Sequence, residues 1–160
     1  MSELLQAIYR GDQSRVDELL AADAELDVFE AAALGNADRL RELLDEDPLL
    51  ANAWGEDGFQ PLGLASFFGH FEAARLLVGG RAEINSASRN DQKVMPLHSA
   101  AAAGDPEARY EIAKLLLEHG ADPNALQQDD FTPLMAADRS GDKRLVRLLE
   151  EYGARRPTRD

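Results

Sequence analysis

Three histidines, His70, His98 and His119, are the side chains in this 160-residue chain best suited to hold a metal or move a proton. An imidazole changes charge between pH 5 and 8 and is the commonest metal ligand. Their intervals of 28 and 21 residues match no ligand spacing, and the chain has no cysteine to complete a thiolate zinc site. The stretch "SGDK" at 140–143 fits the S-x-x-K pattern of an acylating serine. The S-D-N and K-T-G partners of that pattern are missing, and Gly141 reads as a turn. No phosphate-loop lysine follows Gly79–Gly80, which therefore reads as another turn. "DEDP" at 45–48 lacks the spacing and glycine of a calcium loop and reads as a helix end. No catalytic residue, metal site or cofactor is expected, and the chain is read as a non-enzyme.

Self-comparison explains where these residues sit. "QPLGLASFFG" (60–69), "MPLHSAAAAG" (95–104) and "TPLMAADRSG" (132–141) align without a gap. Pro61, Pro96 and Pro133 recur at 35 and then 37 residues, each with an alanine four positions later and a glycine eight positions later. A proline suits the first helical turn, where its missing N–H is no loss. Leu62, Ala65, Ser66 and Gly69 then fall on one stripe, whose small residues admit close neighbours. The glycine ends the helix and permits a sharp reversal. A second apolar pattern follows each glycine, with leucine pairs such as Leu76–Leu77 and Leu115–Leu116. Working backwards, Gly35 and Gly11 open two further patterns of the same kind, giving five helix–glycine–helix units. One unit cannot enclose its own apolar face, so the units must stack.

The P-L-x-x-A core, the closing glycine, the "LLLEHGADPNA" ending (115–125) and the period together resemble ankyrin repeats, most closely over 95–134. The resemblance implies an all-α solenoid of about five helix-turn-helix units with short β-hairpin-like fingers. A single domain over 1–160 would divide at approximately 1–26, 27–57, 58–92, 93–129 and 130–156. It also implies that His98 bonds a neighbouring finger, that inner helices line a concave groove, and that the function is non-catalytic protein binding through that groove and the finger tips.

Departures from the pattern carry their own expectations. The first two units lack the proline, and 24 residues from Gly11 to Gly35 leave no room for a finger, as suits an atypical capping unit. The third finger, "SASRNDQKV" (86–94), is longer by two residues. Arg81 stands where Gly120 stands in the next unit, which predicts that the turn shifts to Gly80. "DPEA" (105–108) adds about one helical turn to an outer helix, with Asp105 as its N-cap and Pro106 at its first position.

Phe67 and Phe68 lie outside the packing stripe, at positions that face the groove in ankyrin proteins. Trp54, Phe59, Val94 and Phe131 fall on or beside the fingers, and Arg139 occupies a groove-facing position of the last unit. Aromatics left outside a core are the usual anchors of an interface; the alternative is that Phe59 and Phe131 pack between fingers and Trp54 covers a repeat junction. Glu56, Asp57, Asp91, Gln92, Gln128 and Asp129 would form its polar rim.

The net charge is −13, and residues 12–57 carry −11 of it. Such a field repels nucleic acid and anionic membranes, and it reads either as a solvated, solubilising face or as a surface that steers in a basic protein partner. An alternative role is therefore an acidic decoy that occupies a nucleic-acid-binding protein through 12–57. The absence of cysteine, of an N-x-S/T site, of a signal-like N-terminus and of a membrane-length apolar run sets the expectation of a cytoplasmic monomer. Arginine outnumbers lysine 14 to 3, which sets the expectation of a GC-rich, bacterial genome.

Overall fold

The computed structural model describes residues 1–22 and 25–156. Among the described residues ten α-helices run in chain order: α1 (Glu3–Arg10), α2 (Gln13–Ala21), α3 (Val28–Leu34), α4 (Ala37–Glu46), α5 (Pro61–Phe67), α6 (Phe71–Gly79), α7 (Pro96–Ala101), α8 (Pro106–Glu118), α9 (Pro133–Ser140) and α10 (Lys143–Glu151). Odd-numbered helices pack on one another in succession as an inner layer, and α4, α6, α8 and α10 stack as the outer layer. The inner layer is thin because its contact residues are alanines: Ala31, Ala65, Ala100 and Ala137 are completely buried. Bulk comes from the outer layer, where Leu40, Leu77, Leu116 and Leu149 are also completely buried. Each such leucine contributes roughly 1.5–3 kcal/mol relative to exposure.

Local chemistry sets the helix ends. Asp12, Asn36 and Asp142 each accept a hydrogen bond from the backbone N–H three residues on, capping the outer helices α2, α4 and α10. Gly11, Gly35, Gly69 and Gly141 close α1, α3, α5 and α9 with φ between 68° and 77°. At each of these ends the residue after the glycine donates back into the last turn, as in Asn36 N to Ala31 O at 2.9 Å. The reversal after α7 is built differently. Gly104 is not in the left-handed region, and α7 stops at Ala101. Ala103 N donates to Ala100 O at 3.1 Å and closes the helix, and the guanidinium of Arg109 reaches back to the carbonyls of Ala103 and Gly104 beyond it. The extra turn of α8, 13 residues against 9 in α6, begins with Asp105 accepting from Glu107 N at 3.2 Å.

The expectation for Arg81 is corrected. Gly80 keeps φ −84°, and Arg81 itself adopts the left-handed conformation at φ 68°. Its carbonyl is held from the preceding unit, by Asn52 Nδ2 at 3.1 Å, while Asn52 Oδ1 accepts from Glu83 N at 2.7 Å. The same two-bond clamp recurs from Asn85 to Gly120 and Asp122, and from Asn124 to Gly153 and Arg155. Each asparagine thus fixes the turn of the next unit, and at Arg81 that fixed turn overrides the residue's own preference.

Fingers project where the odd helices begin. Gly55 N donates to Phe59 O at 2.9 Å, Ser88 N to Val94 O at 2.8 Å and Gln127 N to Phe131 O at 3.0 Å. The middle closure spans six residues and the other two span four, so the longer third finger is real. Neighbouring fingers are tied by Arg89 N to Gly58 O and Gln128 N to Gln92 O, both 2.8 Å.

Candidate partner-binding groove

Between the fingers and the inner helices lies a groove of about 630 Å³. Its floor is set by one register position, two residues before each reversal glycine. Tyr9, Phe67, Ala102 and Arg139 hold that position in their units and all four line the groove. Ala33 holds it in the second unit and is buried instead. The fingers supply Phe59, Gln92, Val94, Gln127, Gln128, Asp129 and Phe131. Phe67 is 43% exposed, the most open phenylalanine in the structure.

The expectation that Phe67 and Phe68 face the groove together is corrected. One helical residue is a rotation of about 100°, and Phe68 lies on the other side of the α5 terminus. It packs against the core and lines a smaller cleft of about 360 Å³ with Ile8, Val16, Leu34 and His70. Phe68 meets Phe67 edge-on at 5.1 Å and Tyr9 at 5.7 Å, so it backs the groove without entering it.

Trp54, Glu56, Asp57 and Asp91 are also outside the groove lining. The Trp54 ring is covered by the Arg89 guanidinium at 3.9 Å, a cation–π contact between adjacent fingers. Glu56 pairs with the α-amino group of Met1. Asp57 accepts from the Tyr9 hydroxyl at 2.6 Å and from Phe59 N at 3.1 Å. Burial, reinforced by this carboxylate, pushes the Tyr9 phenol far above its ordinary pKa. Tyr9 therefore reaches over the thin second unit and closes one end of the groove. At the other end Arg139 lies over the Phe131 ring at 4.7 Å. Tyr9 and Gln127 were not among the residues expected at the site. The register position before the glycine would have indicated Tyr9, whereas nothing local marks Gln127.

The histidines are tied to backbone. His98 Nε2 donates to Ala125 O at 2.9 Å and lies 3.2 Å from Phe131 O, in the next finger, while Nδ1 accepts from Met95 N at 3.2 Å. Burial lowers its pKa, so the neutral ring is the resident form. His70 Nε2 bonds Ala33 O at 3.0 Å, and its pKa is likewise lowered by burial. His119 Nδ1 meets Leu115 O at 2.8 Å, one turn back on its own helix. Among the described residues no three His, Asp or Glu side chains converge on a metal position. Ser140 Oγ donates to Ala137 O at 3.1 Å, an ordinary helix-end bond. No helix among the described residues is long and apolar enough to cross a membrane.

The family model for ankyrin repeats in three copies matches residues 84–160. The fold is that of an ankyrin-repeat solenoid. It is similar to the ankyrin repeat and SAM domain-containing protein 6 of Rattus norvegicus, 33% identical over 125 residues that make up 77% of this chain and 14% of that protein. It is also similar to the ankyrin repeat, SAM and basic leucine zipper domain-containing protein 1 of Dasypus novemcinctus, 29% identical over 137 residues, 85% of this chain and 28% of the relative. The Ornithorhynchus anatinus form is 32% identical over 134 residues, 83% of this chain and 27% of that protein. The chain thus spans under a third of the length of these relatives. All three are mammalian proteins, which gives no support to the bacterial origin expected from the arginine excess. Ankyrin repeats are generally protein–protein interaction modules, and the ankyrin-repeat solenoid is a non-catalytic fold.

Proposed function

We propose that this chain binds a partner protein, without chemistry, through its concave groove and finger tips. One observation carries the reading: the exposed Phe67 ring shares a single groove with Tyr9, Phe59 and Phe131. Large rings held open to solvent in a preformed concavity suit the anchoring of a partner side chain. In this reading the chain is one domain, with units at 1–26, 27–57, 58–92, 93–129 and 130–156.

The acidic segment 12–57 is the competing surface, and most of its described carboxylates have other occupations. Asp12, Asp27 and Asp47 cap helix or turn starts, and the buried Glu30 accepts from Ser2 Oγ and Asp27 N. Glu18, Glu25, Asp38 and Glu42 pair with Arg15, Arg39 or Arg41. These uses favour the groove over a decoy role for 12–57. The test is photo-crosslinking from two positions, Ala102 in the groove and Lys114 on the outer helix α8. A groove binder crosslinks its partner from position 102 and loses it with Phe67→Ser. Crosslinking that survives Phe67→Ser and collapses with salt would transfer the function to the acidic segment.

A further inference from the structure

The groove is chemically asymmetric along its length. Toward the first units its walls are Tyr9, Phe59, Phe67, Leu64 and Gly63. The one carboxylate nearby, Asp57, is already engaged by the Tyr9 hydroxyl and Phe59 N. That end offers apolar surface and no free charge. Toward the last unit the lining changes to Gln92, Gln127, Gln128 and Asp129. Asp129, Asp130 and Asp91 have neither an ion pair nor a side-chain hydrogen bond among the described residues. Of the cations on these two fingers, Arg89 lies on the Trp54 ring, which leaves Lys93. Asp129 and Asp130 are also consecutive non-glycine residues with left-handed φ of 62° and 55°. Two sequence-adjacent aspartates, neither with an ion pair among the described residues, thus lie on one exposed turn.

We propose that the occupant of the groove is an extended basic segment of a partner protein, with one large apolar side chain among Tyr9, Phe59 and Phe67 and its arginines or lysines beside Asp129 and Asp130. The proposal rests on the groove being the binding face and adds the chemistry and direction of what lies in it. Charge complementarity is the argument. A cation on the fingers meets Asp91, Asp129 and Asp130, three carboxylates without an ion pair among the described residues. Arg139 opposes this locally, since it lines the same end and has no carboxylate partner among the described residues. Its guanidinium is, however, already seated on the Phe131 ring at 4.7 Å. That contact also shows that an aromatic ring of this groove takes a guanidinium on its face.

The test uses three fluorescein-labelled peptides of equal length, read by anisotropy against the full chain. The first carries one phenylalanine and two arginines across a glycine–serine spacer of two, four or six residues. The second has glutamates for the arginines, and the third has serine for the phenylalanine. The first peptide is expected to bind about tenfold or more tighter than either control, since it alone makes both contacts. Asp129→Asn with Asp130→Asn should weaken it roughly three- to tenfold and flatten its salt dependence, and Phe67→Ser should weaken it roughly tenfold. Urea midpoints confirm that each variant is folded.

Tighter binding by the glutamate peptide would assign that end to Arg139 and overturn the proposal while leaving the groove as the binding face. Binding of the arginine peptide that ignores Phe67→Ser and both asparagine substitutions would place it on 12–57 and overturn the proposal and the groove reading together. Failure of every spacer length to bind also overturns the proposal, and crosslinking from position 102 then judges the groove independently.

Discussion

The imidazole of His70 lies on Gly35, so close that a Cβ on Gly35 would come within 2.5 Å of the ring. His70 occupies the position where Asp12, Asn36 and Asp142 cap their helices, but it makes no cap and instead crosses to the preceding unit to bond Ala33 O. Gly141 has nearly the same backbone, φ 69° against 71°, and open space where its Cβ would be. Gly141→Ala should therefore cost about 1 kcal/mol, the left-handed penalty alone. Gly35→Ala should cost about 3 kcal/mol or more, because the ring must also move. Urea denaturation of the two variants measures the difference, and equal losses would mean that His70 is free to swing away.

Arg81 makes the opposite case. It holds φ 68° without a β-carbon-free backbone, and its side chain is exposed. Arg81→Gly should stabilise the chain by roughly 0.5–1 kcal/mol, since the strain is relieved and the Asn52 clamp uses only its carbonyl. A higher thermal midpoint is the expected reading.

The asparagine clamps should be additive to a degree set by their bond count. Asn85→Ala removes the bonds to Gly120 O and from Asp122 N and should cost about 1–2 kcal/mol. Asn85→Asp keeps the acceptor and should cost less. If the alanine variant unfolds at the wild-type urea concentration, solvent replaces both bonds without loss.

Phe67 and Phe68 should separate in the same measurement. Phe67→Ser removes a partly open ring and should cost about 1 kcal/mol, whereas Phe68→Ser opens the core edge and should cost about 2–3 kcal/mol. The groove assignment of Phe67 predicts that its change acts more on binding than on the unfolding midpoint.

Burial holds His98 and His70 below the ordinary histidine pKa in the folded chain. The unfolded state then binds protons at higher pH than the folded state does. Stability is full above about pH 6.5, the unfolded value, and falls as pH drops below it toward the lowered folded pKa values. Urea midpoints of the wild type and His98→Asn compared at neutral and mildly acidic pH should show the smaller acid loss in the variant. Part of the loss should persist through His70.

The sequence by itself determined the repeat, the helix starts and the extra turn of α8. A proline at the first position, an aspartate cap or a run of alanines acts within one turn of helix. The same locality made the fold class and the stacked inner layer readable from Pro61, Ala65, Gly69 and their counterparts. It also made Phe67 and Phe68 look equivalent, since neither falls on the packing stripe. Only the stack separated them: the rotation between adjacent helical residues sends one ring to the groove and the other to the cleft beside His70. Trp54 was covered by an arginine of the next finger, Asp57 was taken by Tyr9 from 48 residues away, and Arg81 was forced left-handed by Asn52 from 29 residues away. Each of these is a contact between units, whose geometry exists only after the helices have packed. Local propensity ranks the conformations of a turn within about 1–2 kcal/mol, which hydrogen bonds from a neighbouring unit are enough to reverse.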